Sequence, residues 1–139
     1  MPSKPDIQNL AKSRLREAEL LYNYGHYDAA FYLAGFAIEI AFKAVICKKL
    51  DISLKEMESV PSFKSHSFDQ LLLISGLRNK HKKAIANQQF QNNWSIVTDW
   101  KVDCRYNNIG SKNSGDVLKF IKAIKSTRGG ILTWIKKYW

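Results

Sequence analysis

Apolar residues recur at spacings of three and four along most of this chain. No stretch alternates with period two for long enough to make a strand, so the pattern predicts an all-α protein. Ile7, Leu10, Ala11, Leu15, Ala18, Leu21 and Tyr22 line one side of a first helix, and Lys12, Arg16, Glu17 and Glu19 fill the other. Asp6 is placed to cap it, residues 1–6 (MPSKPD) read as a loose arm with two prolines, and Gly25 stops it just past Tyr24 as a left-handed residue. The second helix, over residues 27–50, begins at or is capped by Asp28. The short break between the two folds the second back antiparallel on the first.

The rest of the chain is organised around this second segment, YDAAFYLAGFAIEIAFKAVICKKL. From Ala29 to Cys47 its nineteen residues hold two charges, Glu39 and Lys43. A helix apolar on every face has to be surrounded on every face, either by lipid or by other helices. Each charge near the middle of a membrane span costs roughly 2.5–3.5 kcal/mol, and an Ala-rich sequence returns little. The pattern therefore predicts the central helix of a bundle with no membrane crossing. Glu39 and Lys43 stand four apart with the acid first, the favourable order for a pair on one helix face. One reading makes them a structural pair at the bundle's edge. The other turns Glu39 into a polar cleft to meet a cation from another helix.

After Leu50 a polar stretch broken by Pro61 predicts a crossover loop with one short helical turn. Ser65 or Ser67 caps a third helix that buries Phe68, Leu71, Leu72 and Leu77 and ends near Gly76. Residues 78–93, with Arg78, Lys80, Lys82 and Lys83 close together, read as the end of that helix running into an exposed, mobile basic segment. A fourth helix is expected from about Asn93 to Tyr106, with Trp94, Val97, Trp100 or Lys101, and Cys104 at helical spacing. The run from Asn107 to Gly115 breaks it. A fifth starts at Ser114 and Asp116, buries Val117, Leu118, Ile121 and Ile124, and is interrupted at Gly129-Gly130 before Ile131, Trp134, Ile135 and Tyr138 resume the apolar face. The expectation is one domain, an antiparallel up-and-down bundle of four to five helices.

A length of 139 residues suits a single core. MPSKPDIQNL has no apolar leader segment, and Cys47 and Cys104 read as reduced core residues, so a cytoplasmic protein without zinc is expected. The net charge of +10 favours an acidic partner, nucleic acid among them.

No Gly-rich phosphate loop, metal-spaced cluster or serine-hydrolase elbow is present, and the chain implies no cofactor. His26 and His81 read as solvated surface residues. His66 sits at the edge of the third helix, either as a structural contact or facing a cleft. Asp99 and Asp103, four apart, are expected to share a face of the fourth helix. Arg105 ends that helix, where its planar fork can meet phosphate; turned inward, its partner is Glu39. Tyr106, Lys43, Glu39, Lys101 and Lys112 are the further candidates for the nucleic-acid or phosphate site. Two surfaces combine cations with aromatics in a way that suits RNA: Arg78 to Lys83, and Lys119, Lys122, Lys125, Arg128, Lys136 and Lys137.

The order of AELLYNYGHYDAAFYLAGFAIEIAFKAVI, then KSHSFDQLL, then a Trp-rich segment ending in WKVDCRY resembles the HEPN (higher eukaryotes and prokaryotes nucleotide-binding) domain over residues 8–137. The matching positions are Gly25, Tyr27, Asp28, Ala29, Glu39, Lys43, His66, Leu71 and Arg105-Tyr106. The resemblance implies a dimeric helical bundle of a toxin–antitoxin or defence module. Such proteins are often metal-independent endoribonucleases, encoded beside a minimal nucleotidyltransferase that serves as antitoxin. Their motif is an arginine followed four to six positions later by a histidine, facing its copy across the dimer. Arg105 matches the arginine, but residues 106–114 hold no histidine. The resemblance and its missing histidine together imply an RNA- or nucleotide-binding protein with weak or no catalysis. The alternatives are a non-catalytic partner of a nucleotidyltransferase, and an active ribonuclease in which His66 takes the missing place beside Arg105.

Overall fold

The computed structural model describes residues 3–139. Among them every regular element is helical: α1 (Lys4–Asn23), α2 (Tyr27–Leu50), α3 (Leu54–Glu58), α4 (Phe68–Ile74), α5 (Arg78–Ala84), α6 (Gln88–Val97), α7 (Ser114–Lys125) and α8 (Ile131–Ile135), with 3-10 turns at Pro61–Phe63 and Val102–Tyr106.

The cap of α1 is Ser3, and the helix takes in half of the expected arm. Ser3 Oγ accepts from the Asp6 amide and the Asp6 carboxylate accepts from the Ser3 amide, a reciprocal capping box in which Asp6 is the third helical residue. At the other end Gly25 has φ +82, and the His26 and Gly25 amides donate to the Leu21 and Tyr22 carbonyls. This paired closure turns the chain straight into α2. Lys4 bridges to Asp51 just beyond the far end of α2, so the two helices run antiparallel along their whole length.

Helix α2 is the core. Its small residues Ala30, Ala34, Gly35, Ala37, Ala41 and Ala44 let neighbours approach closely, and Ile38, Phe42 and Ile46 between them are fully enclosed. It is long and apolar enough to cross a bilayer, and 83% of its most apolar stretch is buried against the rest of the chain. Trp94 of α6 meets Phe42 edge-on at 6.4 Å, and Ile96 lies beside Phe31, so α6 climbs as α2 descends. Helix α7 descends again, from Phe120 on Phe31 at 4.4 Å, and the chain after α8 brings the Trp139 carbonyl within 3.2 Å of Lys48 Nζ. The long elements thus alternate up, down, up and down.

Two expectations are corrected. Residues 78–93 form α5 and the first half of α6, with Asn87 capping α6 through the Phe90 amide at 3.1 Å. Most of the segment is exposed, as expected, but it is anchored because Phe90 is buried and His81 is half-buried: its ring lies 4.3 Å from Trp94, 5.9 Å from Phe90 and 6.0 Å from Trp134. Its Nε2 is enclosed with no hydrogen-bond partner. The expected fourth helix also stops at Val97, and Val102–Tyr106 is a separate 3-10 turn. The chain bends because Trp100 folds back onto α2, where it is 2% exposed.

Burial lowers the pKa of His81, with Asp69 pulling weakly the other way. A depressed folded-state value means the unfolded chain takes the proton first. The stability held above about pH 6.5 is therefore lost as pH falls through the folded value. His81→Phe keeps the aromatic packing and removes the proton. Its urea midpoint should fall less than that of the native protein between about pH 7 and about pH 5, and equal losses would contradict this role of His81.

Candidate functional site: two polar clusters on one face of the central helix

Tyr32, Gly35, Phe36, Glu39 and Lys43 fall at helical spacing down one face of α2, and two polar clusters form along it. The first surrounds Glu39, which is 1% exposed. Lys43 Nζ donates to Glu39 Oε2 at 3.2 Å and to Glu58 Oε1 of α3 at 2.9 Å. His66 Nδ1 lies 2.8 Å from Glu39 Oε1. A carboxylate held by Lys43 on one oxygen serves as acceptor on the other, so His66 Nδ1 carries the hydrogen and Nε2 is the free acceptor. The His66 side chain is 46% exposed, against 2% for that of Glu39. A solvent-facing imidazole oriented by a buried carboxylate can accept and return a proton.

The second cluster lies toward the start of α2. Arg105, on the 3-10 turn, projects into solvent with its guanidinium 4.9 Å above the Tyr106 ring. The neighbouring hydroxyls of Tyr32, first, and of Tyr106 raise its pKa further above the ordinary arginine range. No carboxylate among the described residues pairs with it. The result is a cationic fork with free donors over the ring of Tyr106, which is 76% exposed.

Trp100 fixes the spacing between the clusters. Its indole stacks on Phe68 at 5.3 Å and on Tyr32 at 6.2 Å. It lies directly on Gly35, where an added Cβ would fall inside three of its ring atoms. Lys101 is the next residue, exposed in a shallow cleft with Ser67, Asp69 and Thr98, beside the His66 end.

Of the residues singled out from the sequence, Glu39, Lys43 and His66 are brought into contact, as are Arg105 and Tyr106. The inward alternative for Arg105 is corrected: both Glu39 oxygens are occupied by Lys43 and His66. From Tyr32 to Glu39 is seven residues, about 10 Å of helix at ~1.5 Å each, so the two clusters are neighbours without a direct bond. Asp99 and Asp103 share no helix face, because the helix ends between Val97 and Trp100.

Lys112 stands apart from both clusters. Its Nζ lies 4.1 Å over the Phe31 ring, and its amide donates to Asp28. Asp28 does not cap α2. Its carboxylate accepts from the Gly110 amide at 2.6 Å and the Lys112 amide at 2.9 Å, and the Gly110 bond chiefly lowers its pKa. Asp28 thereby pins the loop that follows Arg105-Tyr106.

Three residues of the site escaped the sequence reading. Tyr32 could have been found as the residue two turns before Glu39 on the same face. Glu58 belongs to α3, whose signal was the capping box of Ser53 and Glu56. The anchoring role of Asp28 depends on a loop more than eighty residues away, and local pattern carries no trace of it. No known protein family matches this chain, and no curated protein or solved structure matches it either.

Proposed function

We propose that this chain is a HEPN-type protein that binds RNA, or a nucleotide, by its phosphate at Arg105. The observation that carries the reading is the exposed guanidinium of Arg105, free of any acid among the described residues and stacked over the exposed Tyr106 ring. Charged donors in a planar fork suit a phosphate, and the exposed ring of Tyr106 beside them suits an unpaired base. Exposed Lys101 adds charge along the same face. The order of motifs adds the setting: a cytoplasmic toxin–antitoxin or defence module with a nucleotidyltransferase partner. A homodimer would use half-exposed Leu33 and Phe36 with exposed Tyr106 and Ile109, placing two Arg105 sites in one groove.

The second reading, a metal-independent ribonuclease, is favoured by the His66–Glu39 contact. In it His66 Nε2 takes the proton of a 2′-hydroxyl while Arg105, from the same or a second copy, holds the phosphate. The two readings separate on one set of samples. Native protein, Arg105→Ala and His66→Ala are titrated with labelled single-stranded RNA and incubated with total RNA. Binding that falls with salt and weakens about tenfold or more in Arg105→Ala, without cleavage, supports the first reading. Cleavage lost in both variants supports the second. RNA affinity that ignores Arg105 would remove both.

A further inference from the structure

The two basic segments of the sequence come together in the fold. Residues 70–98 hold no Asp or Glu, nor do residues 117–139, and these stretches supply α5, α6 and α8. Lys80 Nζ of α5 sits 5.2 Å over the Tyr138 ring that follows α8. Lys12 Nζ of α1 sits 5.7 Å over Trp139. Lys136 lies close enough to Lys12 that, after its own burial, the repulsion lowers its pKa. Among the described residues none of Lys12, Arg78, Lys80, Lys82, Lys83, Arg128, Lys136 and Lys137 pairs with an acid. Two acids border the face: Asp69, beside Arg78 and Lys82 in a neighbouring cleft, and Glu19, which is taken by Lys125.

A groove of about 460 Å³ opens within this face, between the end of α5, the start of α6 and α8. That volume lies in the range of small-molecule sites. Arg128 and Lys137 supply its cations, Asn87, Gln89 and Thr127 its polar groups, and Phe90 and Trp134 its apolar lining. The wall at Gly129-Gly130 is built in. Asn93 Nδ2 donates to the Gly129 carbonyl at 2.9 Å and Thr133 Oγ1 to the Ser126 carbonyl at 2.8 Å. Gly129 has φ +75, and a Cβ on Gly130 would strike the Ser126 backbone.

We propose that this face, and not the Arg105 site alone, carries single-stranded RNA. The backbone lies along Lys80, Lys83, Lys136 and Lys137, and one nucleotide is seated in the groove with its phosphate at Arg128 and Lys137. A row of unpaired cations around a nucleotide-sized groove with amide side chains fits a single strand. A lipid surface fits less well, because the large apolar side chains that protrude, Leu20, Tyr24, Leu50, Val60, Leu73, Tyr106 and Ile109, all lie outside α5, α6 and α8. The proposal rests on RNA being the ligand, as proposed above, and shares no residue with the Arg105 site.

The test uses the full chain, labelled oligouridylate, and vesicles of phosphatidylserine with phosphatidylcholine. The variants are Lys80→Glu/Lys83→Glu/Lys137→Glu, Arg128→Ala and Arg105→Ala, each checked by its melting curve. The triple variant should bind RNA at least about tenfold more weakly, with a salt slope shallower by about 2 because each phosphate contact contributes roughly 0.7. Arg128→Ala should weaken binding with a smaller loss of slope. Unchanged affinity in the triple variant, with loss only in Arg105→Ala, overturns this inference and leaves the Arg105 reading intact. Native protein that ignores RNA overturns both, and binding to the vesicles in that case assigns the face to a membrane.

Discussion

Lys43→Met is expected to lower folding stability by about 3–5 kcal/mol, while Glu39→Leu combined with Lys43→Met leaves it nearly unchanged. Removing the ammonium alone strands the Glu39 carboxylate, 1% exposed, with only His66 to answer it. Glu58 loses its partner too, but its side chain is 29% exposed and water compensates. Removing both charges deletes the desolvation penalty along with the attraction, and the leucine and methionine fill similar volume. Urea denaturation of the single and double variants measures the difference. A single variant as stable as the native protein would mean that Glu39 and Lys43 are not enclosed together.

Gly35→Ala tests what separates the two clusters. On helix propensity alone the change should stabilise α2 by roughly 1 kcal/mol. The new methyl, however, would overlap Cδ1, Nε1 and Cε2 of Trp100, an indole stacked on Phe68 and on Tyr32. Overpacking of this kind costs about 1–3 kcal/mol, and a rigid ring places it at the upper end, so the net effect is destabilising. Trp100→Ala, which leaves a cavity, should cost about 3–5 kcal/mol. Both changes release the segment from Thr98 to Tyr106, so RNA affinity should drop with stability. A stabilised Gly35→Ala would show that the indole does not rest on the helix backbone.

The parts of the fold set by local physics were legible in the sequence. The stop at Gly25, the Ser67 start of α4 and the break at Gly129-Gly130 each depend on residues within a turn of one another, and the enclosure of α2 follows from a segment apolar on every face. The bend after Val97 was not legible, because Trp94, Val97, Trp100 and Cys104 keep helical spacing straight through it. Trp100 leaves the helix to reach Gly35, and that contact exists only in three dimensions. Residues 78–93 read as mobile from their charge and amide content. They fold as helices that stay mostly exposed, and their hold on the core comes from His81 and Phe90, which pack on tryptophans from α6 and α8.

The site divides the same way. Glu39 and Lys43 declare themselves by a four-residue interval on one helix, whereas His66 reaches Glu39 across a twenty-seven-residue separation. Arg105 was visible as a free cation at an element's end. Its tyrosine neighbour on α2 was not, since Tyr32 reads equally well as core.

Photocross-linking of labelled single-stranded RNA to the native protein, with the adducts located by peptide mass, tests most directly whether Arg105 and its two tyrosines hold the ligand. Adducts are expected at Tyr106 and Tyr32, and they should vanish in Arg105→Ala while the protein stays folded. Adducts absent from both tyrosines, or unchanged when Arg105 is removed, would contradict binding at this site.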